Sequence, residues 1–203
     1  MKRRITLRAA AYSALLCTFA FGVAIGQEPP PPPPPGKGPA QQPELRRVAF
    51  LLGQWEEEIT YAGREGDAAV GRGRWMARPA MGRFLMFNYE GEGPEGRYAA
   101  HGVLSFHAES QAYRMWWFDS SGGEAEYRGT LADESTLVLE HRGTAEGKPF
   151  RERITYSRAS PFEVRTRIEQ AYGDGEYKLY LEAVARRMRA PAEPRRMGRP
   201  PVP

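Results

Sequence analysis

Cysteine is nearly missing from this 203-residue chain: its one cysteine is Cys17. A body without thiols has no disulfide staples, no cysteine nucleophile and no thiolate metal site. Histidine is almost as scarce, with His101, His107 and His141 making up the whole set. His101 and His107 lie six apart on one expected strand, so they share a face about 20 Å apart and cannot hold one metal ion. No His-x-His, His-Glu-x-x-His, Gly-x-Ser-x-Gly or phosphate-cradling glycine loop occurs, and Gly71-Arg72-Gly73 is too short for the last of these. Catalytic residues, metals and cofactors are accordingly not expected from motifs.

Excess charge of one sign is missing too. The whole chain carries +4, from 29 basic and 25 acidic residues. Residues 1–26 read as a secretory signal peptide: Lys2, Arg3, Arg4 and Arg8 precede an uncharged run, Ala9 to Gly26. Small Ala24 and Gly26 place cleavage before Gln27; an uncleaved anchor is the rival reading, because the run approaches spanning length. Bulky Leu16 argues against a lipid on Cys17. Without residues 1–26 the balance is 25 basic to 25 acidic residues. The basic character therefore sits largely in the address, and nucleic acid is not an expected partner. A periplasmic or extracellular location follows from this reading.

What is present begins with proline. Residues 27–43 form a proline-rich linker, and Pro29–Pro35 should make a polyproline II rod of roughly 20 Å. The rod reads as a spacer in preference to a ligand for a proline-recognition domain. Pro43 then starts a helix. Leu45, Val48, Leu51 and Leu52 recur at helical spacing, and Gly53 supplies the stop. At about two and a half turns, such a helix is too short to stand alone and must dock on an apolar surface.

From Trp55 the period changes to two. Strands are expected near 55–62, 68–77, 83–91, 96–107, 111–119, 124–131, 135–142, 149–158, 162–171 and 175–186, separated by Gly, Pro, Asp and Ser turn chemistry. The gaps leave no room for crossover helices, so the sheet is an antiparallel meander. Closing it into a barrel over residues 44–187, with the short N-terminal helix plugging one end, removes its exposed edges. Residues 188–203, rich in Pro and Arg, should be a disordered basic tail.

Alternation assigns faces. Leu137 and Leu139, then Val164, Thr166 and Ile168, then Tyr177, Leu179, Leu181 and Ala183 should point inward. The run Tyr113-Arg-Met-Trp-Trp-Phe118 is apolar on both faces, which means an outer cover or a surface Trp.

The series Phe50-Leu-Leu-Gly-Gln-Trp-Glu-Glu-Glu-Ile-Thr60, Gly82-Arg-Phe-Leu-Met-Phe-Asn-Tyr-Glu-Gly91, Gly102-Val-Leu-Ser-Phe106, Trp117-Phe-Asp-Ser-Ser121, Tyr127-Arg-Gly-Thr-Leu131 and Glu176-Tyr-Lys-Leu179 resembles the bacterial DUF1579 family over about residues 44–187. The resemblance implies an all-β, closed, lipocalin-like (calycin-like) barrel and no established activity. Leu-Gly-x-Trp is also similar to the haem-binding nitrobindin barrels, whose iron ligand is a late histidine. None follows His141 here, so no haem is expected.

Several residues stand out as candidates for a ligand site. Trp75, Trp116, Trp117, Tyr89, Tyr98 and Phe106 could line a cavity or fill a core. Glu57 follows Trp55 by two and would share its inward face at the barrel floor. A bulge that turns it out, leaving Glu56-Glu57-Glu58 as a solvated run, is the preferred reading, because a buried carboxylate is costly. Glu152 shares the more apolar face with Phe150, Ile154 and Tyr156 and would want a tyrosine or a cation, with Arg114 a conceivable partner. Arg83 sits beside a turn where it could guard a mouth, and His101 is a third interior candidate.

The leading expectation is an exported barrel that binds a small apolar or aromatic molecule in its interior. An acid–base enzyme using Glu57, Glu152 or His101 is the first alternative. The second is an envelope interaction module, docking through the rod, the Trp116/Trp117 strand or the basic Arg186–Arg199 stretch.

Overall fold

The computed structural model describes residues 42–63, 68–145 and 147–188. The expected signal peptide, nearly all of the proline-rich linker and all of the tail beyond Met188 lie outside them. Ten strands follow two short helical turns: β1 (Gly53–Tyr61), β2 (Ala69–Ala80), β3 (Phe84–Gly93), β4 (Gly96–His107), β5 (Ala112–Asp119), β6 (Glu124–Leu131), β7 (Thr136–Ala145), β8 (Lys148–Ser160), β9 (Glu163–Tyr172) and β10 (Lys178–Arg187). Each pairs antiparallel with its neighbour in sequence, and β1 also pairs with β10, so the meander closes into a barrel. All ten expected strands are present.

The expected single helix is instead two pieces, α1 (Pro43–Arg47) and a 3-10 turn, Ala49–Leu51. Val48 leaves helical geometry at ψ 15°. The tighter three-residue turn then places Val48 and Leu51 above one another. Leu45, Val48, Leu51 and Phe50 all become buried, which a straight amphipathic helix of this length would not achieve. The plug is tied to the barrel where the Tyr113 hydroxyl donates to the Glu44 carbonyl at 2.7 Å.

Trp55, fully buried, closes the floor. Its ring stacks on Trp75 with centroids 5.3 Å apart, and its indole N–H donates to the Leu51 carbonyl at 3.1 Å. On the other side the Arg187 guanidinium lies 4.3 Å from the ring centroid. Arg187 also donates to the carbonyls of Leu52 (2.8 Å) and Pro161 (3.2 Å), stapling the plug to the β8–β9 turn. Gly53 opens β1 instead of closing a helix. Its φ of +126° suits only glycine, and a Cβ there would lie 2.2 Å from Arg187 Nη1.

Alternation holds on most strands. Leu137, Leu139 and Val164 are fully buried, with Thr166 nearly so. β10 departs from it. Its pairing with β9 shifts between Leu179 and Leu181, so Leu181 and Ala183 face in, while Leu179 pairs with Glu169 on the outer face. Tyr177 is outside as well, 4.0 Å beneath the Arg153 guanidinium. A β-bulge carries one extra residue, which reverses the parity beyond it, and simple alternation does not register that reversal.

The staple yields a stability prediction. Arg187→Met should lower the urea midpoint by about 2 kcal/mol of stability, since two carbonyls lose a charged donor. Arg187→Lys should not restore it, because an ammonium cannot stack on the indole and span both carbonyls. Equal midpoints for the wild type and Arg187→Met would show that the staple contributes nothing.

Candidate functional site

The barrel's two halves differ in packing. Toward the plug, Leu45, Leu51, Trp55, Leu85, Leu104, Met115, Leu137 and Leu139 leave almost no accessible surface. Toward the opposite end, inward-facing side chains keep some: Tyr61, Tyr89, Trp117, Glu152, Tyr156, Ile168 and Gln170 are only half-buried. Tyr156 is the telling case, because it pairs with fully buried Leu137 yet retains accessible surface itself. The inward side chains of this half thus leave some of their surface accessible, and the space they border is called the lumen below.

Glycine keeps it open. Gly73 and Gly91 are both inward on β2 and β3, and the Tyr89 ring lies flat against them. A Cβ on either would sit 2.5 or 2.7 Å from the Tyr89 hydroxyl. Tyr61 lies on Gly71 and Gly93 in the same way. Rings laid on bare backbone line the wall and do not cross the space.

Two carboxylates face this lumen. Glu57, 8% exposed, accepts from the Trp75 indole N–H at 3.1 Å, and the Tyr89 hydroxyl lies beside its other oxygen. Burial pushes its pKa above the ordinary carboxylate value, against the pull of those two donors. Glu152 accepts from the Tyr127 hydroxyl and from Gln170 Nε2, the latter at 2.7 Å. Burial, followed by the neighbouring acids, pushes the Tyr89, Tyr127 and Tyr156 phenols well above their usual range, so all three remain hydrogen-bond donors at neutral pH. Nearer the mouth, Trp117 donates its indole N–H to the Tyr98 hydroxyl at 2.8 Å, and Tyr89 packs edge-on against Tyr98. His141 donates from Nδ1 to the Glu126 carbonyl at 2.9 Å, which makes Nε2 the acceptor of the neutral ring. At the rim, Arg142, Pro149, Phe150 and Asp174 help to line a cleft of about 390 Å³.

The structure therefore brings Trp75, Tyr98, Trp117, Glu152 and Tyr156 together around one lumen, with Trp55 and Glu57 at its floor. The solvated reading of Glu57 is overturned. No bulge interrupts β1, whose residues 55 to 61 pair continuously with β2, so Glu57 keeps the parity of Trp55. Four other candidates lie elsewhere. Arg114 is on the outer face beside Glu126, so it cannot serve Glu152, whose partner is a tyrosine. Trp116 pairs with Val103 and Glu126 outside, next to Phe118, which is 46% exposed. His101 is outside, bonded to Asn88 at 2.7 Å. Arg83 is exposed in the β2–β3 turn at the plugged end, away from the mouth. Phe106 faces in but packs on Tyr113 near the plug.

Residues that sequence reasoning passed over are Tyr127, Gln170 and Tyr180. Alternation along β6 and β9 could have found Tyr127 and Gln170. The bulge hid Tyr180, which meets Tyr61 edge-on at 5.9 Å.

A family model described as "Protein of unknown function (DUF1579)" matches residues 40–187. Among solved structures, the fold is similar to Rv2717c from M. tuberculosis, with 17% identity and a TM-score of 0.57 over 73% of this chain and 99% of that one. It is also similar to the S-type phycobiliprotein lyase CPES from Guillardia theta, with 11% identity and a TM-score of 0.50 over 74% of this chain and 99% of that one. At these identities the likeness is one of fold. No functionally curated protein matches the chain.

Glu57 makes stability depend on pH. Burial holds its folded pKa above the ordinary 4.5 of a free glutamate, so over the window between the two the folded chain holds a proton that the unfolded chain releases. The stability from this group is full below about pH 4.5 and is lost as pH rises through the folded pKa. Glu57→Gln should therefore match the wild type in acid and melt about a few degrees higher at pH 8. Parallel curves of Tm against pH for the two proteins would refute the assignment.

Proposed function

This chain belongs to the DUF1579 family, and from the lumen described above we propose that it binds a small apolar or aromatic molecule inside its lipocalin-like barrel. One observation carries the reading. One half of the barrel is packed solid, while the other is lined by partly accessible rings and hydrogen-bonded polar groups. A few oriented polar groups in an aromatic wall are what a small-molecule site consists of. The rings supply contact area, while Glu57, Glu152, Tyr98 and Tyr156 fix orientation. The fold shared with the Guillardia theta lyase adds architectural support only.

The proposal includes export. Its support is the basic start at Lys2–Arg4, the uncharged stretch from Ala9 to Gly26 and the absence of cysteine after residue 17. Cell fractionation should recover the protein outside the cytoplasm with Gln27 at its N-terminus; a cytoplasmic chain beginning at Met1 would exclude export.

Binding is tested on the whole protein with benzyl alcohol as a neutral aromatic probe. Saturable binding is expected by calorimetry, weakened about tenfold or more in Trp117→Ala, which removes part of the wall. Ile168→Trp, which fills the lumen from β9, should abolish it. Binding that survives unchanged in both folded variants would place the probe elsewhere and end this reading.

A further inference from the structure

The charge inside the barrel is one-sided. On the outer face acids and arginines are laced together: Arg74 with Glu90 at 2.9 Å, Arg153 with Glu140 at 3.0 Å, and Arg167 with Glu182 at 2.6 Å. Inside, Glu57 and Glu152 are held by an indole, phenols and an amide, and neither has a cationic partner among the described residues. Lys and Arg side chains on inward register positions stand only at the two ends, and His141, opposite Glu152, holds its Nδ1 on the Glu126 carbonyl. Arg158 and Arg187 belong to the floor, against Phe50 and Trp55. Lys148 and Lys178 are exposed at the rim. Between rim and floor, no described Lys or Arg occupies an inward position.

Both acids act on one space. Glu57, with the Tyr89 hydroxyl beside it, and Glu152, which pairs with His141 and Gln170, both hold inward register positions. The surrounding wall presents rings set at angles to one another: Tyr89 against Tyr98 with centroids 5.7 Å apart, and Tyr89 against Trp117 at 6.3 Å. Ring faces carry negative quadrupole charge and attract cations most strongly where water is excluded. Lipocalin-like folds do not impose this combination, since an apolar lumen needs no carboxylate and an anion-binding lumen would be opposed by two.

We propose that the lumen takes an organic cation, an alkylammonium or amidinium attached to an apolar or aromatic body, with the positive group drawn to the inward carboxylates, Glu57 and Glu152, and the body against the aromatic wall. This inference rests on the lumen being the binding site and specifies the charge of its occupant. A cation supplies the counter-charge that Glu152 lacks in the protein itself, and it favours the ionised form of Glu57 over the protonated form that burial favours. A neutral molecule would leave that deficit in place, and an anion would worsen it.

Three probes of similar size but different charge test the idea on the whole protein by calorimetry at pH 8: benzyltrimethylammonium, benzyl alcohol and benzoate. The cation should bind about tenfold tighter than benzyl alcohol, and benzoate should not bind. Glu152→Gln should reduce cation binding about fivefold to tenfold and so narrow the gap between the cation and benzyl alcohol. If that variant fails to fold, the wild-type charge series decides alone. Equal affinity for the cation and benzyl alcohol, or measurable benzoate binding, would overturn the charge inference and leave the lumen reading standing. No binding by any of the three would overturn both.

Discussion

Everything in this barrel hangs on the stack at its floor. Trp55 has Arg187 on one face, Trp75 on the other and the Leu51 carbonyl at its N–H. A ring held on all sides fixes three chain segments at once: the end of the plug, the start of β1 and the last residue of β10. Closure of the sheet is therefore secured where β1 meets β10, the pairing most remote in sequence. That pairing brings residues 55 and 187 together, and its loop-closure entropy is among the largest in the fold. A cation–aromatic contact with two carbonyl bonds at that seam offsets part of the loss.

The same stack reaches into the lumen. Trp75 packs on Trp55 with its ring and turns its N–H to Glu57, so the buried acid is oriented by a residue whose own position the floor dictates. Tyr89 continues the line toward Tyr98 and Trp117. Structural packing and the candidate site are thus one contiguous set of rings. A carboxylic acid retained at such a point is expensive in an apolar setting, where an isosteric amide or hydrocarbon would serve stability better. Its presence is most simply understood through what occupies the space above it.

Much of this was readable before any coordinates. Strand positions followed from period-two alternation and turn residues, and closure followed from the absence of crossover segments. For Glu152 the sequence pointed to a cation or a tyrosine, with Arg114 the cation to hand, and the structure supplies Tyr127. What escaped the sequence did so for physical reasons. The plug breaks at Val48 because burying four apolar side chains on a curved floor outweighs helical continuity, and local periodicity is blind to that curvature. Tyr177 and Leu179 were assigned inward because a one-residue bulge reverses parity without altering composition. Glu57 was assigned outward because desolvation argues against an inward acid, and the two donors that make it tolerable come from β2 and β3. Trp116 and Trp117 were indistinguishable until register with β4 separated them.

The rings laid on glycine carry a consequence for how such a barrel can change over time. In most barrels the internal bore is fixed by side-chain length, so altering it disturbs packing on every neighbouring strand. Here Tyr89 and Tyr61 are tiles resting on bare backbone at Gly73, Gly91, Gly71 and Gly93. A methyl group beneath a tile would tip it inward and narrow the bore at that height, while a smaller tile would open a recess floored by peptide groups. At Gly73, Gly91 and Gly93 the adjustment is local, because a tyrosine hydroxyl is the nearest obstacle; at Gly71 a Cβ would first meet the Glu92 carbonyl at 2.8 Å. A scaffold built this way can be refitted to a new occupant one tile at a time, with the floor and its seam untouched.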